Sequence, residues 1–254
     1  MGTFIDELHP AVAALVFAVS TFAAWGLGWT WGRMTAPEPT TDPGIKFTDG
    51  ALTLLGLLLA FTFSLALSRY DKRRSMVVGE SNAIGDFYTC ASVLREPHRT
   101  RLQGVIRAYT EEKLAASRVR SEADVEEKLR AFQDAHARMT TLVGEVVAEG
   151  TPIAVPLTNT LTAVTSAHAA RLAAYRERLP WSIVLLLFLG AAVPAYLVGL
   201  QQAESPRPHL AGTVGFIAMT TLITFVTLDL NQPGRGTITV SQEPLERLLQ
   251  SMEK

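Results

Sequence analysis

Hydroxyl side chains set at helical spacing inside apolar runs are the chemically most suggestive feature of this 254-residue sequence. Thr53, Leu57, Ala60, Ser64 and Ser68 follow one another at steps of three or four. On a helix they form one small, partly hydroxylated face, with Phe61 and Phe63 pointing elsewhere. Thr213, Ile217, Thr220, Thr224 and Thr227 step in the same way and lead to Asn231. Hydroxyls so placed do one of two things. They bond back to their own helix and let a neighbour approach closely, or they line a hydrated path. Both readings stand for both stripes. The first stripe runs straight into the charges of "SRYDKRR" (Ser68–Arg74), with Glu80 and Asp86 beyond. These two carboxylates either pair with neighbouring helices or face a vestibule, where rings of identical charge would bias ion selection.

Other chemistry is sparse. Cys90 is the single cysteine, so no intrachain disulfide forms, and its neighbours Tyr88, Ala91 and Val93 mark it as a small buried hydrophobe. The five histidines lack the close spacing of a metal site on one helix. Neither a phosphate loop nor a nucleophile elbow is present, so no cofactor, metal or enzymatic activity is expected. A net charge of −1 without a basic, aromatic-interleaved patch argues against nucleic acid.

The elements that position these residues follow from where charge is absent. No Asp, Glu, Lys or Arg occurs in Ala11–Trp31, Ala51–Ser68, Trp181–Leu200 or Leu210–Leu228. Each run has the length that crosses the hydrocarbon as a helix. The residues before the first run carry Asp6 and Glu7 but no Lys or Arg, unlike the basic start of a signal peptide, so this span is expected to be retained. Trp25, Trp29 and Trp31 near its end suit a headgroup boundary. Orientation follows from basic residues, which resist translocation. Arg69, Lys72, Arg73, Arg74, Arg171, Arg176 and Arg178 flank the segment between spans two and three, whereas the other two loops offer only Arg33, Lys46 and Arg207. Both termini and the segment Arg69–Leu179 are therefore expected in the cytoplasm.

That segment carries 17 basic and 14 acidic residues and no strand-like alternation. Its lack of proline from Arg69 to Arg95, with Met76, Ala83, Phe87, Ala91 and Leu94 at helical spacing, extends the second span as one helix. Pro97 restarts a helix with Leu102, Val105, Ile106 and Tyr109 on one face. Ser121 with Asp124 reads as a capping box opening a helix to about Glu149, and another runs from about Val155 to Leu179. Val125, Leu129, Phe132, His136, Met139, Val143 and Val146 form one packing seam, and Leu157, Leu161, Val164, His168, Arg171 and Tyr175 the next. A reversal at Gly150–Pro152 sets Val146 by Leu157, Val143 by Leu161, Met139 by Val164 and His136 by His168. Facing imidazoles would repel on protonation, making His136 and His168 a candidate pH sensor; the alternative is that each is bonded separately. After the fourth span, "DLNQPGRG" is a turn that fixes the tail, "TITV" is strand-like, and Ser241 caps a helix through Leu249.

The expected fold is an all-α membrane protein with four transmembrane helices and a cytoplasmic helical domain inserted between spans two and three. Its divisions are 1–68, 69–179, 180–228 and a cytoplasmic tail, 229–254. In "GLLLAFTFSLALSRYDKRR" (Gly56–Arg74), "GESNAIGDFY" (Gly79–Tyr88), "LREPHRTRL" (Leu94–Leu102) and "DLNQPGRGTITVSQEPL" (Asp229–Leu245), the chain resembles the bacterial family of bestrophin-like membrane proteins. Gln232 and Gly234 stand where a basic and a larger residue are expected. The resemblance implies a homo-oligomeric ion channel, a pentamer as in bestrophins, in the bacterial inner membrane, with the second span forming the pore neck. Its partners are then membrane lipid, further copies of the chain and small ions. On that reading Thr53, Leu57, Ala60, Ser64 and Ser68 line the pore, and Glu80 and Asp86 the cytoplasmic vestibule. The competing class is a non-conducting scaffold or sensor that binds a partner through its cytoplasmic helices.

Overall fold

A computed structural model describes residues 9–35, 44–117, 122–203, 209–232 and 236–253, with 44–46 and 122–132 described by backbone alone. Among these residues the chain is all helical: α1 (Pro10–Thr35), α2 (Gly44–Ser92), α3 (His98–Ser117), α4 (Glu122–Ala148), α5 (Ala154–Arg176), α6 (Trp181–Ala203), α7 (Leu210–Asn231) and α8 (Glu243–Ser251). Four helical stretches, Pro10–Thr35, Phe47–Ser92, Ala154–Ala203 and Leu210–Asn231, are long and apolar enough to cross a membrane. Contacts divide the chain into two compact units, Met1–Tyr70 with Arg178–Ile238 and Asp71–Glu177 with Thr239–Lys254.

In the first unit α1 packs on α6 and α7. The crossing with α6 is close because each helix offers a glycine. A Cβ on Gly28 would lie 2.1 Å from the Tyr196 carbonyl oxygen, and one on Gly199 would lie 2.1 Å from that of Trp25. Small residues let helix backbones approach where lipid supplies no hydrophobic drive for association. Beside this crossing Phe17 packs edge-on against Phe188, with ring centroids 5.2 Å apart, in a buried group with Leu55, Leu59, Leu187 and Ala191. The three tryptophans of α1 differ in exposure. Trp31 faces outward, but Trp25 is buried and its Nε1 donates to Gln202 Oε1 at 3.2 Å. The Gln202 amide in turn donates to Thr213 Oγ1 at 3.0 Å, which closes a polar chain inside the unit.

In the second unit the proline-free continuation of α2 gives a buried face of Val77, Ala83, Ile84, Phe87 and Ala91. It shares a core with Leu102, Ile106 and Tyr109 of α3 and with Met139, Val143, Val146, Leu157, Leu161 and Val164 of the α4–α5 hairpin. Full burial of each such large side chain stabilises by roughly 1.5–3 kcal/mol. The hairpin reverses at Gly150, whose φ of 81° is the left-handed conformation that ends helices and that glycine adopts without strain. From the C-terminal region Leu245 enters the same core. Cys90 is half-buried against that core, close to its expected place. The proposed cap at Ser121 lies outside the described residues. At α8 Gln242 occupies the N-cap, and Ser241 Oγ accepts from the Glu243 amide at 3.2 Å from one residue earlier.

Candidate functional site

The face of α2 with the small and hydroxylated residues points away from its own chain. A helix turns about 100° per residue, which places Thr53, Leu57, Ala60 and Ser68 within about 40° of Ser64. All five are exposed, Leu57 at 52%, whereas Leu55, Leu59, Thr62 and Ala66 on the opposite side are buried. Thr53 Oγ1 donates to the Asp49 carbonyl at 2.8 Å. The stripe on α7 does the reverse. Thr213, Ile217, Thr220, Thr224 and Thr227 are all buried, and Thr220 and Thr227 donate to the Phe216 and Ile223 carbonyls at 2.9 and 2.8 Å. The α7 threonines thus pack, while the α2 residues remain available to a ligand, a hydrated path or another chain.

The second concentration of chemistry is a buried ion cluster within the second unit. Glu80 on α2 has no exposed surface, and its Oε1 is in contact with Lys113 Nζ of α3. Two further basic groups come from α5. Arg171 Nη1 donates to Glu80 Oε2 at 2.6 Å, and His168 Nδ1 lies 3.2 Å from Oε1. The other Arg171 nitrogen, Nη2, donates to Gln242 Oε1 at 2.8 Å, just ahead of α8. Lys113 Nζ also lies 2.9 Å from His168 Nδ1 and 5.1 Å from the centre of the Tyr109 ring.

One carboxylate therefore meets three basic side chains, all of them shifted chiefly by burial. Burial pulls the Lys113 ammonium down to about 6, and the charge of Arg171 pulls the same way. Burial first, then Lys113 and Arg171, lower His168 to about 4. Burial also lowers Arg171 and raises Tyr109. The common cause is the cost of placing charge where water cannot solvate it.

A model of the bestrophin-like domain matches residues 11–245 of the sequence. The chain belongs to the bestrophin-like family. It is a membrane protein with an all-helical fold. Solved structures of a bacterial bestrophin homologue from Klebsiella pneumoniae share that fold. An isoleucine-to-threonine variant has a TM-score of 0.66 at 14% identity, with 95% of this chain and 98% of that one covered. The structure phased on zinc has a TM-score of 0.64 at 15% identity, with 96% and 95% covered. No match is found among curated proteins.

Within this bestrophin-like chain two site expectations need correction. Glu80, expected beside Asp86 in a vestibule, is instead enclosed, because Lys113 and Arg171 bond its carboxylate where it meets α3 and α5; Asp86 is exposed. His136 and His168 do not bond each other. His136 Nε2 lies 3.5 Å from Thr165 Oγ1, while His168 turns to Glu80 and Lys113, where a carboxylate and an amine offer better partners than a second imidazole. Sequence reasoning missed Lys113, although it follows Ile106 and Tyr109 at helical spacing and so stands on the buried face of α3.

The "DLNQPGRG" motif has a structural role in the first unit. Asp229 is 1% exposed, and its carboxylate accepts from the Thr237 amide at 2.8 Å, the Thr237 hydroxyl at 2.8 Å and the Ile238 amide at 2.9 Å. Those amides are thereby taken from any strand, and "TITV" forms none among the described residues. Gly236 permits the approach, since a Cβ there would lie 2.7 Å from Asp229 Oδ1. Asn231 Oδ1 accepts from the Leu179 amide at 2.7 Å and ties the end of α7 to the start of α6. Asp229→Ala should therefore cost about 1.5–3 kcal/mol, the range for hydrogen bonds to a charged group. Expected readouts are a lower unfolding midpoint in detergent and faster proteolysis beside Thr237.

Proposed function

We propose that this chain assembles as a homo-oligomeric ion channel, with α2 nearest the axis and Thr53, Leu57, Ala60, Ser64 and Ser68 lining the path. The observation that carries the reading is the outward face of α2. A helix that used its small, hydroxylated side only for packing within the chain would bury it, as α7 does. Here the larger residues Leu55 and Leu59 are buried and the stripe is left outside. Membership of the bestrophin-like family and the shared fold support a channel rather than an enzyme or a scaffold. In the assembly Leu57 supplies an apolar ring that can close a pore by dewetting, and Asp86 stands in the vestibule. The distribution of Lys and Arg supports a cytoplasmic place for the segment between spans two and three and for both termini, and the family resemblance supports the bacterial inner membrane.

The experiment is cysteine accessibility in a Cys90→Ser background, with conductance and oligomer size measured on one purified preparation. Cysteines at Thr53, Leu57, Ala60 and Ser64 should react with a small water-soluble thiol reagent and change the conductance. Cysteines at Leu59 and Phe63 should do neither. Equal protection at all six positions, or a monomer without conductance, would remove the reading.

A further inference from the structure

At the end of the first unit where α1 and α6 finish and α7 begins, the helices leave a pocket of about 210 Å³. Trp25, Gln202 and Thr213, which are joined by hydrogen bonds, all line it. Its lining changes along the spans. Gln202, His209 and Thr213 stand at the ends of α6 and α7, whereas Leu52, Ala195, Phe216 and Ile217 line it deeper, toward the middle of the helices. Polar atoms thus meet one end of the pocket and apolar side chains the other. Ala195 and Gln202 are seven residues apart, so the pocket runs about 10 Å along α6. Over that depth its volume leaves a cross-section of about 20 Å². An α-helix of another chain, about 10–12 Å across, needs at least about four times as much. A single row of methylenes, whose neighbours approach to about 4–4.5 Å, fits. Water does not suit the deep end, because apolar cavities of this size stay dry and take up apolar molecules.

We propose that this pocket holds one acyl chain of a membrane phospholipid, with the ester and headgroup end level with Gln202, His209 and Thr213. Three observations carry the choice of occupant. The pocket lies among helices long and apolar enough to cross a membrane, so lipid is the medium that reaches it. Its polar end and apolar depth are ordered along the helices as the two parts of a lipid are ordered across a leaflet. Its section admits a chain and refuses a helix. The mouth is open at Gly212, where a Cβ would meet nothing within 4 Å. Leu210 and Val214, on either side of that glycine in sequence, are exposed apolar side chains of the kind that face lipid. The site concerns a lipid and does not rest on the channel reading.

The test uses Trp25 as the probe, because it is buried within its own chain and yet lines the pocket. The full-length protein, with Trp29, Trp31 and Trp181 replaced by Phe, is placed in nanodiscs of phosphatidylcholine brominated in the upper half of one chain. Bromine quenches indole fluorescence at contact. Trp25 emission should fall by half or more relative to unbrominated lipid. Gly212→Leu, which fills the mouth without a clash and replaces glycine by a better helix former, should restore most of the emission. Gly215→Leu is the matched control, since a Cβ there also meets nothing within 4 Å but the residue does not line the pocket; quenching should persist. Native mass spectrometry of the chain with all its tryptophans gives a second readout. One phosphatidylcholine per chain should be retained, lost in Gly212→Leu and kept in Gly215→Leu. Absence of both quenching and retained lipid, the result when a second copy covers the pocket, would overturn the proposal. So would equal quenching in Gly212→Leu, which would put the bromine outside. Neither readout needs ion flux, so the lipid site can fail while the channel reading stands, and the reverse.

Discussion

Glu80→Ala should be among the most damaging single substitutions in the second unit, at about 3–5 kcal/mol, the cost of breaking a buried ion pair from one side. The change removes more than a contact. Arg171 would be left enclosed with no carboxylate, and Lys113, 4% exposed, would lose the acceptor that its Nζ meets. The reciprocal change is expected to be mild, because Lys113→Met leaves Glu80 its bond to Arg171 and replaces an amine by an apolar side chain of similar volume. The measurement is the unfolding midpoint of each variant in detergent at pH near 8. Equal losses for the two would mean that the cluster is worth only the sum of its contacts. The exposed pair Lys72–Glu177 at 2.7 Å serves as the control, since ion pairs in water contribute about 0–1 kcal/mol.

What could be read from the sequence and what could not divide along a physical line. The spans are legible because hydrocarbon excludes charge, so charge-free length alone marks them. The extension of α2, the α4–α5 hairpin and the existence of both stripes follow from one-dimensional periodicity, which a helix preserves; which stripe faces outward does not. Partnership between helices is different, because it needs the rotation of each helix about its axis. Glu80, Lys113, His168 and Arg171 each lie in step with the apolar seam of its own helix: Glu80 with Met76, Ala83 and Phe87, Lys113 with Ile106 and Tyr109, His168 and Arg171 with Leu161 and Val164. An ionisable residue in an apolar seam announces a buried partner. It does not say which one, and His168 was accordingly paired with the wrong side chain. The "TITV" segment failed for another reason. Its β-branched residues favour extended backbone, but the Asp229 carboxylate offers their amides stronger acceptors than a second strand would.

The α1–α6 crossing was the least legible feature and carries the other large prediction. Gly28 and Gly199 were unremarkable in sequence, one within "WGLGWTWGR" and the other in "YLVGL". In the structure a Cβ on either would meet backbone of the other helix, on Gly28 that of Tyr196 and on Gly199 that of Trp25 and the Trp29 amide nitrogen, the last at 2.8 Å. Backbone cannot swing aside as a flexible side chain can, so an added methyl group must push the helices apart. Gly199→Ala and Gly28→Ala should each cost about 1–3 kcal/mol through overpacking, and Gly199→Leu should prevent assembly of the first unit. Separation would also pull Trp25 from Gln202 and so disturb the chain of bonds to Thr213. Gly26 lies one turn or less from both contact points of α1 and would meet nothing within 4 Å, which makes Gly26→Ala the matched control. The readout is the unfolding midpoint with tryptophan fluorescence in the same detergent. A Gly26 variant as unstable as the Gly28 variant would show that helix geometry, rather than the crossing, sets the cost.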